Sequence, residues 1–225
     1  MYSGGVDTTV ATLSNFFLAM ILFPDVQKKA QEEIDSVVGR DRMPRLADRE
    51  KMPYVNAIAM EAQRWGVVGP MGLPHVAQED IIVDKYTIPQ GAYLLPAVWW
   101  FCHDPARYPE PEKFDPSRYL EPRNEPDPKS VTFGFGRRIC PGRFFADTSI
   151  LLTIAHTLAV FDIGKAVDER GNPVDVQLEP QPGAICHPKA FKYSISPRSE
   201  KHTELIKNVA AGPIEEKSDA ALLNM

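Results

Sequence analysis

From Leu13 to Phe23 the chain is almost continuously apolar, LSNFFLAMILF, interrupted only by Ser14 and Asn15. A helix that is hydrophobic all round must be covered, so this run predicts a buried helix. It falls short of the roughly 20 residues that a membrane-spanning helix needs. No basic segment precedes it and no small-residue cleavage site follows, which argues against a secretory signal. Beyond it the pattern changes. Between Pro24 and Gly39 the residues Val26, Ala30, Ile34, Val37 and Val38 recur at helical spacing among charged positions, which predicts an amphipathic surface helix. The segment from about Pro53 to Trp65, PYVNAIAMEAQRW, is apolar or small nearly everywhere before Glu61 and predicts a second, buried helix.

Short strand signals follow. Ile81 to Val83 and Tyr86 to Ile88 flank one turn, and Pro89-Gln90-Gly91 makes another, so a small antiparallel element is expected. From Asp104 to Pro128 prolines come every few residues, which forbids regular helix or central strand. Tyr108, Phe114 and Tyr119 set this stretch apart from a disordered linker, which would be poor in aromatics, and predict an ordered but irregular coil. After Cys140 the run GRFFADTSILLTIAHTLAVFDI predicts a long apolar helix beginning at about Pro141, followed by a turn-rich β region to about Pro197. Residues 199–225 mix charge with small side chains and are expected to form a mobile tail. No internal repeat is evident.

At 225 residues the chain is long enough for a substantial core. Its net charge of −5 gives no overall basic footprint, which argues against nucleic acid as a partner. Three scattered cysteines, Cys102, Cys140 and Cys186, are too few for a disulfide framework and fit a reducing compartment.

The chemistry concentrates in FGFGRRICPGR. Cys140 lies between a glycine-rich turn and a helix start, where the helix dipole and nearby arginines favour a thiolate. Gly134, Gly136 and Gly142 let backbone lie against a flat ligand, and Arg138 can make charge-assisted bonds with a carboxylate on it. An isolated cysteine of this kind would by default be a buried structural residue. Here, however, Phe133, Gly136, Arg138, Cys140 and Gly142 fill the pattern F-x-x-G-x-R-x-C-x-G, which resembles the haem-binding loop of the cytochrome P450 family. The resemblance implies that Cys140 is the axial ligand of the haem iron and that Arg138 pairs with a haem propionate.

Glu61 and Arg64, three apart, share one face of the second predicted helix. On an exposed helix they would be a solvated pair worth at most about 1 kcal/mol. On a buried one they need further partners. Arg118 in FDPSRY supplies one, and the set is similar to the family's structural Glu-Arg-Arg triad, although the family usually has phenylalanine at the position of Tyr119. GPMGLPHVAQED resembles the segment that descends past the haem, which implies that His75 reaches a propionate.

The opening MYSGGVDTT reads on its residues alone either as a helix cap, since Asp7, Thr8 and Thr9 can each accept from backbone N–H groups, or as the middle of a helix. By the resemblance, GGVDTT is the oxygen-activating motif of a long helix crossing the distal face. Thr8 and Asp7 then serve the delivery of protons that oxygen–oxygen scission consumes.

The expected fold is mainly α with small β-sheets, the C-terminal part of the cytochrome P450 fold, over residues 1–198. The N-terminal half of that fold is expected to be absent, and with it the membrane anchor and the helices that close the substrate pocket. The function implied is that of a haem-thiolate monooxygenase inserting one atom of dioxygen into an apolar substrate. The cofactor is haem b (iron protoporphyrin IX), and electrons come from NADPH through a flavoprotein reductase partner. A truncated, non-catalytic fragment and a haem-thiolate isomerase or dehydratase stay open as alternatives. Membrane association, at the cytoplasmic face of the endoplasmic reticulum, is expected only of the full-length protein. Val67 to Met71 and Pro182 to Ile185 are the segments expected to touch substrate, and both are apolar and small.

Overall fold

Helix α1 (Tyr2–Leu22) runs without a break through the GGVDTT segment in the computed structural model, which describes residues 2–211. Asp7, Thr8 and Thr9 are therefore inside a helix and not at its cap. Thr8, Thr9 and Thr12 each turn a hydroxyl back to the carbonyl four residues earlier, at 2.8, 3.3 and 3.1 Å. This is the usual way for threonine to satisfy itself in a helix. By length and composition Gly4–Leu22 is long and apolar enough to cross a membrane, longer than the apolar run alone suggests. Its second half is nonetheless covered by protein: Ala11, Phe16, Leu18, Ala19 and Met20 have no exposed surface.

Helix α2 (Pro24–Val37) buries Gln27, Ala30 and Ile34 and exposes its lysines, as its periodicity predicts. Helix α3 (Pro53–Trp65) has the bounds read from sequence and is buried over most of its length. The two are joined at α3's first turn, where the Glu33 carboxylate accepts the N–H groups of Tyr54 and Val55, each at 2.9 Å. Those N–H groups have no partner within the helix, and the helix dipole favours an anion there. Helix α4 (Val98–His103) and the single turn α5 (Lys129–Thr132) lead to α6 (Arg143–Val160). Phe16 of α1, Ile58 of α3 and Ile154 and Leu158 of α6 form the centre of one core.

The expected start and end of α6 are both corrected. It begins at Arg143 after Pro141-Gly142, and Phe161–Lys165 leaves the helix to become a strand. That strand, β5, pairs antiparallel with β6 (Tyr193–Pro197), from Phe161↔Pro197 to Lys165↔Tyr193. Gln27 of α2 exchanges two 2.8 Å hydrogen bonds with the backbone of Ile163, pinning the sheet to the helix. The remaining strands are β1 (His75–Val76) with β4 (Tyr93–Leu94), and β2 (Ile81–Val83) with β3 (Tyr86–Ile88). Residues 104–128 are irregular apart from a 3₁₀ turn at Pro116–Tyr119, and Tyr108 and Phe114 anchor them in the interior.

The tail expected over 199–225 is corrected in its first part. Glu200–Ala211 forms helix α7, because His202, Leu205 and Ile206 fall on one face, where His202 is buried and the two aliphatic residues pack on the core. Residues 212–225 lie outside the described residues.

Candidate functional site

The loop carrying Cys140 is shaped by glycine. Gly134 (φ +83°) and Gly136 (φ +55°) both adopt the left-handed backbone conformation that side chains disfavour. Between them and the cysteine a 3₁₀ turn, Gly136–Arg138, folds the chain so that the Cys140 N–H donates to the Phe133 carbonyl at 2.8 Å. The thiol is free and half-buried. A Cβ added at Gly142 would lie 4.0 Å from its sulfur, so glycine there leaves the ground beside Sγ bare. Because α6 starts three residues beyond Cys140, Pro141-Gly142 separates the sulfur from the helix end.

Asp147, in α6's second turn, clamps this loop at its base. Its carboxylate accepts from Lys129 at 3.2 Å and from Arg49 at 2.8 Å, tying α5 and the segment before α3 to α6. The Arg138 side chain is exposed, and the Arg143 guanidinium lies over the Phe144 ring at 4.3 Å.

Among the described residues no group of three or more histidine, cysteine or acidic side chains could hold a metal ion. The loop therefore offers one soft donor on a bare, glycine-flanked floor. That donor set does not suit a metal ligated wholly by protein, which takes three or four ligands. It would suit an iron already held by a macrocycle, to which the chain would add a single thiolate, that of Cys140. The residues present fit haem.

Glu61, Arg64 and Arg118 come together in one buried cluster in which all three side chains have zero exposure. Arg64 makes a two-pronged contact with Glu61, Nε to Oε2 and Nη2 to Oε1, both at 2.8 Å. Arg118 Nε donates to Glu61 Oε1 at 3.0 Å, and the Asp115 N–H to the same oxygen at 2.9 Å. The remaining guanidinium protons go to the carbonyls of Cys102, Lys113 and Pro109. A second carboxylate, Glu125, accepts from Arg118 at 2.6 Å and is shared with Arg123 at the edge of the cluster. Burial alone would lower the pKa of Arg118, but Glu61 and Glu125 outweigh it and raise it. Tyr119 completes the set by donating to Glu61 Oε2 at 2.8 Å; burial first, then Glu61, holds its phenol well above the usual tyrosine pKa.

Asp7, Thr8 and His75 lie on other elements. Thr8 donates to Gly4, Asp7 pairs with His187 Nε2 at 3.0 Å, and His75 sits half-buried in β1 opposite Leu94. The two segments expected to touch substrate, Val67–Met71 and Pro182–Ile185, are brought near each other by the Cys186 N–H, one residue past the second, which donates to the Val68 carbonyl at 2.8 Å.

Sequence reasoning missed Glu125, Asp147 and His187 and the part played by the Tyr119 hydroxyl. Tyr119 was visible as a departure from phenylalanine beside Arg118. The others are single polar residues whose partners are distant in sequence, and no periodicity marks them.

The family model described as Cytochrome P450 matches residues 1–195. The chain is 48% identical over 223 residues to the multifunctional cytochrome P450 monooxygenase af510 of Aspergillus fumigatus, covering 99% of this chain and 42% of that one. It is 51% identical over 224 residues to the cytochrome P450 monooxygenase CLM2 of Gibberella zeae, with the same two coverages. Among solved structures, a zebra fish cytochrome P450 with progesterone superposes with a TM-score of 0.76 at 30% identity, covering 88% of this chain and 44% of that one. The chain thus spans less than half the length of the curated relatives it matches. Matched by the family model over nearly its whole described length, the chain belongs to the cytochrome P450 family.

Proposed function

We propose that this chain is the haem-ligating part of a monooxygenase that inserts one atom of dioxygen into an apolar small molecule, with electrons from NADPH through a flavoprotein reductase at the endoplasmic reticulum membrane. In this reading Cys140 ligates haem b, with Phe133, Gly136 and Gly142 shaping its loop. Arg138 and His75 each pair with a propionate. Haem held by a thiolate supplies the electron density that favours oxygen–oxygen cleavage. The chain's own contribution is to keep the sulfur uncovered and its loop fixed through the Phe133 carbonyl, and to manage protons from α1. There the Thr8 hydroxyl, whose hydrogen is committed to Gly4, keeps its lone pairs available as acceptors, and Asp7 precedes it with its side chain open to solvent. Glu61, Arg64 and Arg118 act as a lock on the core and not in the chemistry.

The setting of Cys140 carries the reading: a free, half-buried thiol in a loop shaped by two glycines of left-handed conformation. Val67, Val68 and Ile185 near the joined segments support an apolar substrate. The test is Cys140→Ser in the haem-loaded full-length protein. Serine is a hard, poorly ionised ligand, so the thiolate-specific long-wavelength band of the reduced carbon monoxide complex should disappear. A band that persists would sink the assignment.

A further inference from the structure

Asp7 is not a solitary acid. Its Oδ1 lies 3.0 Å from His187 Nε2, 180 residues away in the chain, with the two side chains 52% and 28% exposed. What distinguishes this contact from a casual surface pair is how firmly His187 is delivered. The turn that carries it is closed at its base by the Pro180↔Pro188 bridge, by Gln181 N–H to His187 O at 2.7 Å and by Lys189 N–H to Glu179 O at 2.7 Å. Its neighbour Cys186 is bonded to Val68, so the turn is also fixed to the segment that follows α3. The backbone that carries the imidazole is thus held on two sides, and α1 brings Asp7 to the ring.

A free aspartate on a helix samples several rotamers. With Nε2 donating to Oδ1, one carboxylate oxygen is fixed and the other is left open, on the residue that precedes Thr8. We propose, on the basis of the function proposed above, that His187 is the positioning residue for Asp7 and through it governs proton delivery toward the distal side. It does not itself touch substrate or cofactor. An exposed ion pair contributes little to stability, so its effect belongs in the coupling of electron use to product and not in folding.

The test uses the haem-loaded full-length protein with His187→Ala, His187→Gln, Asp7→Asn and the Asp7→Asn/His187→Ala pair. His187→Ala should keep its haem content, its carbonyl band and its unfolding midpoint while releasing several-fold more peroxide per NADPH consumed. His187→Gln, whose amide can still donate to Asp7, should recover much of the coupling. On the Asp7→Asn background His187→Ala should add nothing. A readout independent of turnover is the infrared stretch of bound carbon monoxide, which should shift in the two single variants and no further in the pair. Unchanged peroxide release in His187→Ala, additive effects in the pair, or a loss that tracks haem content or unfolding midpoint would each overturn the proposal. Absence of the thiolate-specific band in the unaltered protein would instead overturn the haem-thiolate reading, and this proposal with it.

Discussion

Tyr119 donates its phenolic hydrogen to Glu61 Oε2 at 2.8 Å, so the carboxylate at the heart of the buried cluster is shared by two guanidiniums, a backbone amide and a phenol. Tyr119→Phe removes only that last donor and leaves the ion pairs in place. Hydrogen bonds to charged groups contribute about 1.5–3 kcal/mol, and a loss in the lower part of that range is expected because four other hydrogen bonds remain. Urea unfolding should register it, with the spectrum of the carbonyl complex unaltered. A spectral change without a stability change would assign Tyr119 a different role.

Arg64→Ala is a harsher intervention. It leaves Glu61 buried with half its neutralising charge gone and orphans the carbonyl of Cys102. Breaking a buried pair by removing one partner costs about 3–5 kcal/mol. The expected result is a low yield of haem-loaded protein with normal turnover per haem, measured as haem per polypeptide and rate per haem. Full haem content with slow chemistry would contradict a structural role.

Much of this arrangement is legible in sequence where a repeating pattern meets a consistent environment. The α3 helix is readable because its apolar period and its flanking Pro53 and Gly66 agree. The paired strands at Ile81–Val83 and Tyr86–Ile88 are readable because Asp84-Lys85 makes a turn between two β-branched runs. The loop of Cys140 is readable because glycine is required at Gly134 and Gly136 for backbone reasons. Helix α7 was not, because its apolar face has few residues and is stabilised mainly by what it packs on. Asp7–His187 and Lys129–Asp147 were not either, since nothing local in the chain announces which distant charge a side chain will meet.

Acid should loosen the fold through two buried imidazoles. Burial, reinforced by Arg64, lowers the pKa of His103 despite its bond to the Trp99 carbonyl, and burial with Arg198 lowers that of His202. In both cases the unfolded chain, with its pKa near 6.5, binds the proton first. Stability is therefore present above that value and falls as pH drops through the lowered folded values. His202 Nδ1 meets Ser199 Oγ at 2.9 Å while its Nε2 has no partner among the described residues, so protonation there strains the attachment of α7. His202→Asn should flatten the loss of stability measured between about pH 8 and about pH 5. An equally steep loss in the variant would remove His202 from the account.

On the proposed function, Thr8→Ala should separate proton delivery from haem retention. The hydroxyl bonds to Gly4 within α1 and touches no part of the buried cluster, so the variant should fold and load haem normally. NADPH should still be consumed while peroxide replaces product. Product and NADPH consumption falling in strict proportion would exclude Thr8 from proton delivery.

The junction of α1 and α3 offers a test of packing that needs no cofactor. Asn15, buried in α1, donates Nδ2 to the carbonyl of Gly66 at 3.1 Å, where α3 ends. A Cβ on Gly66 would fall 2.2 Å from Asn15 Cγ and 2.6 Å from Asn15 Cβ, distances at which one group must move. These are atoms near the root of the side chain, so rotation about its outer bond cannot relieve the clash. Gly66→Ala is expected to cost about 1–3 kcal/mol by overpacking. Asn15→Ala should cost a similar amount, about 1–3 kcal/mol, because it leaves the buried carbonyl without its donor. In the double variant the contact with Asn15 Cγ is gone while the Cβ at 2.6 Å stays, so the clash is relieved only in part and the combined loss should fall short of the sum towards the lower end of the about 0.5–3 kcal/mol seen for residues in direct contact. Urea unfolding of the three variants at unchanged denaturant slope measures this coupling, and simple additivity would mean that the two positions do not share the space the geometry gives them.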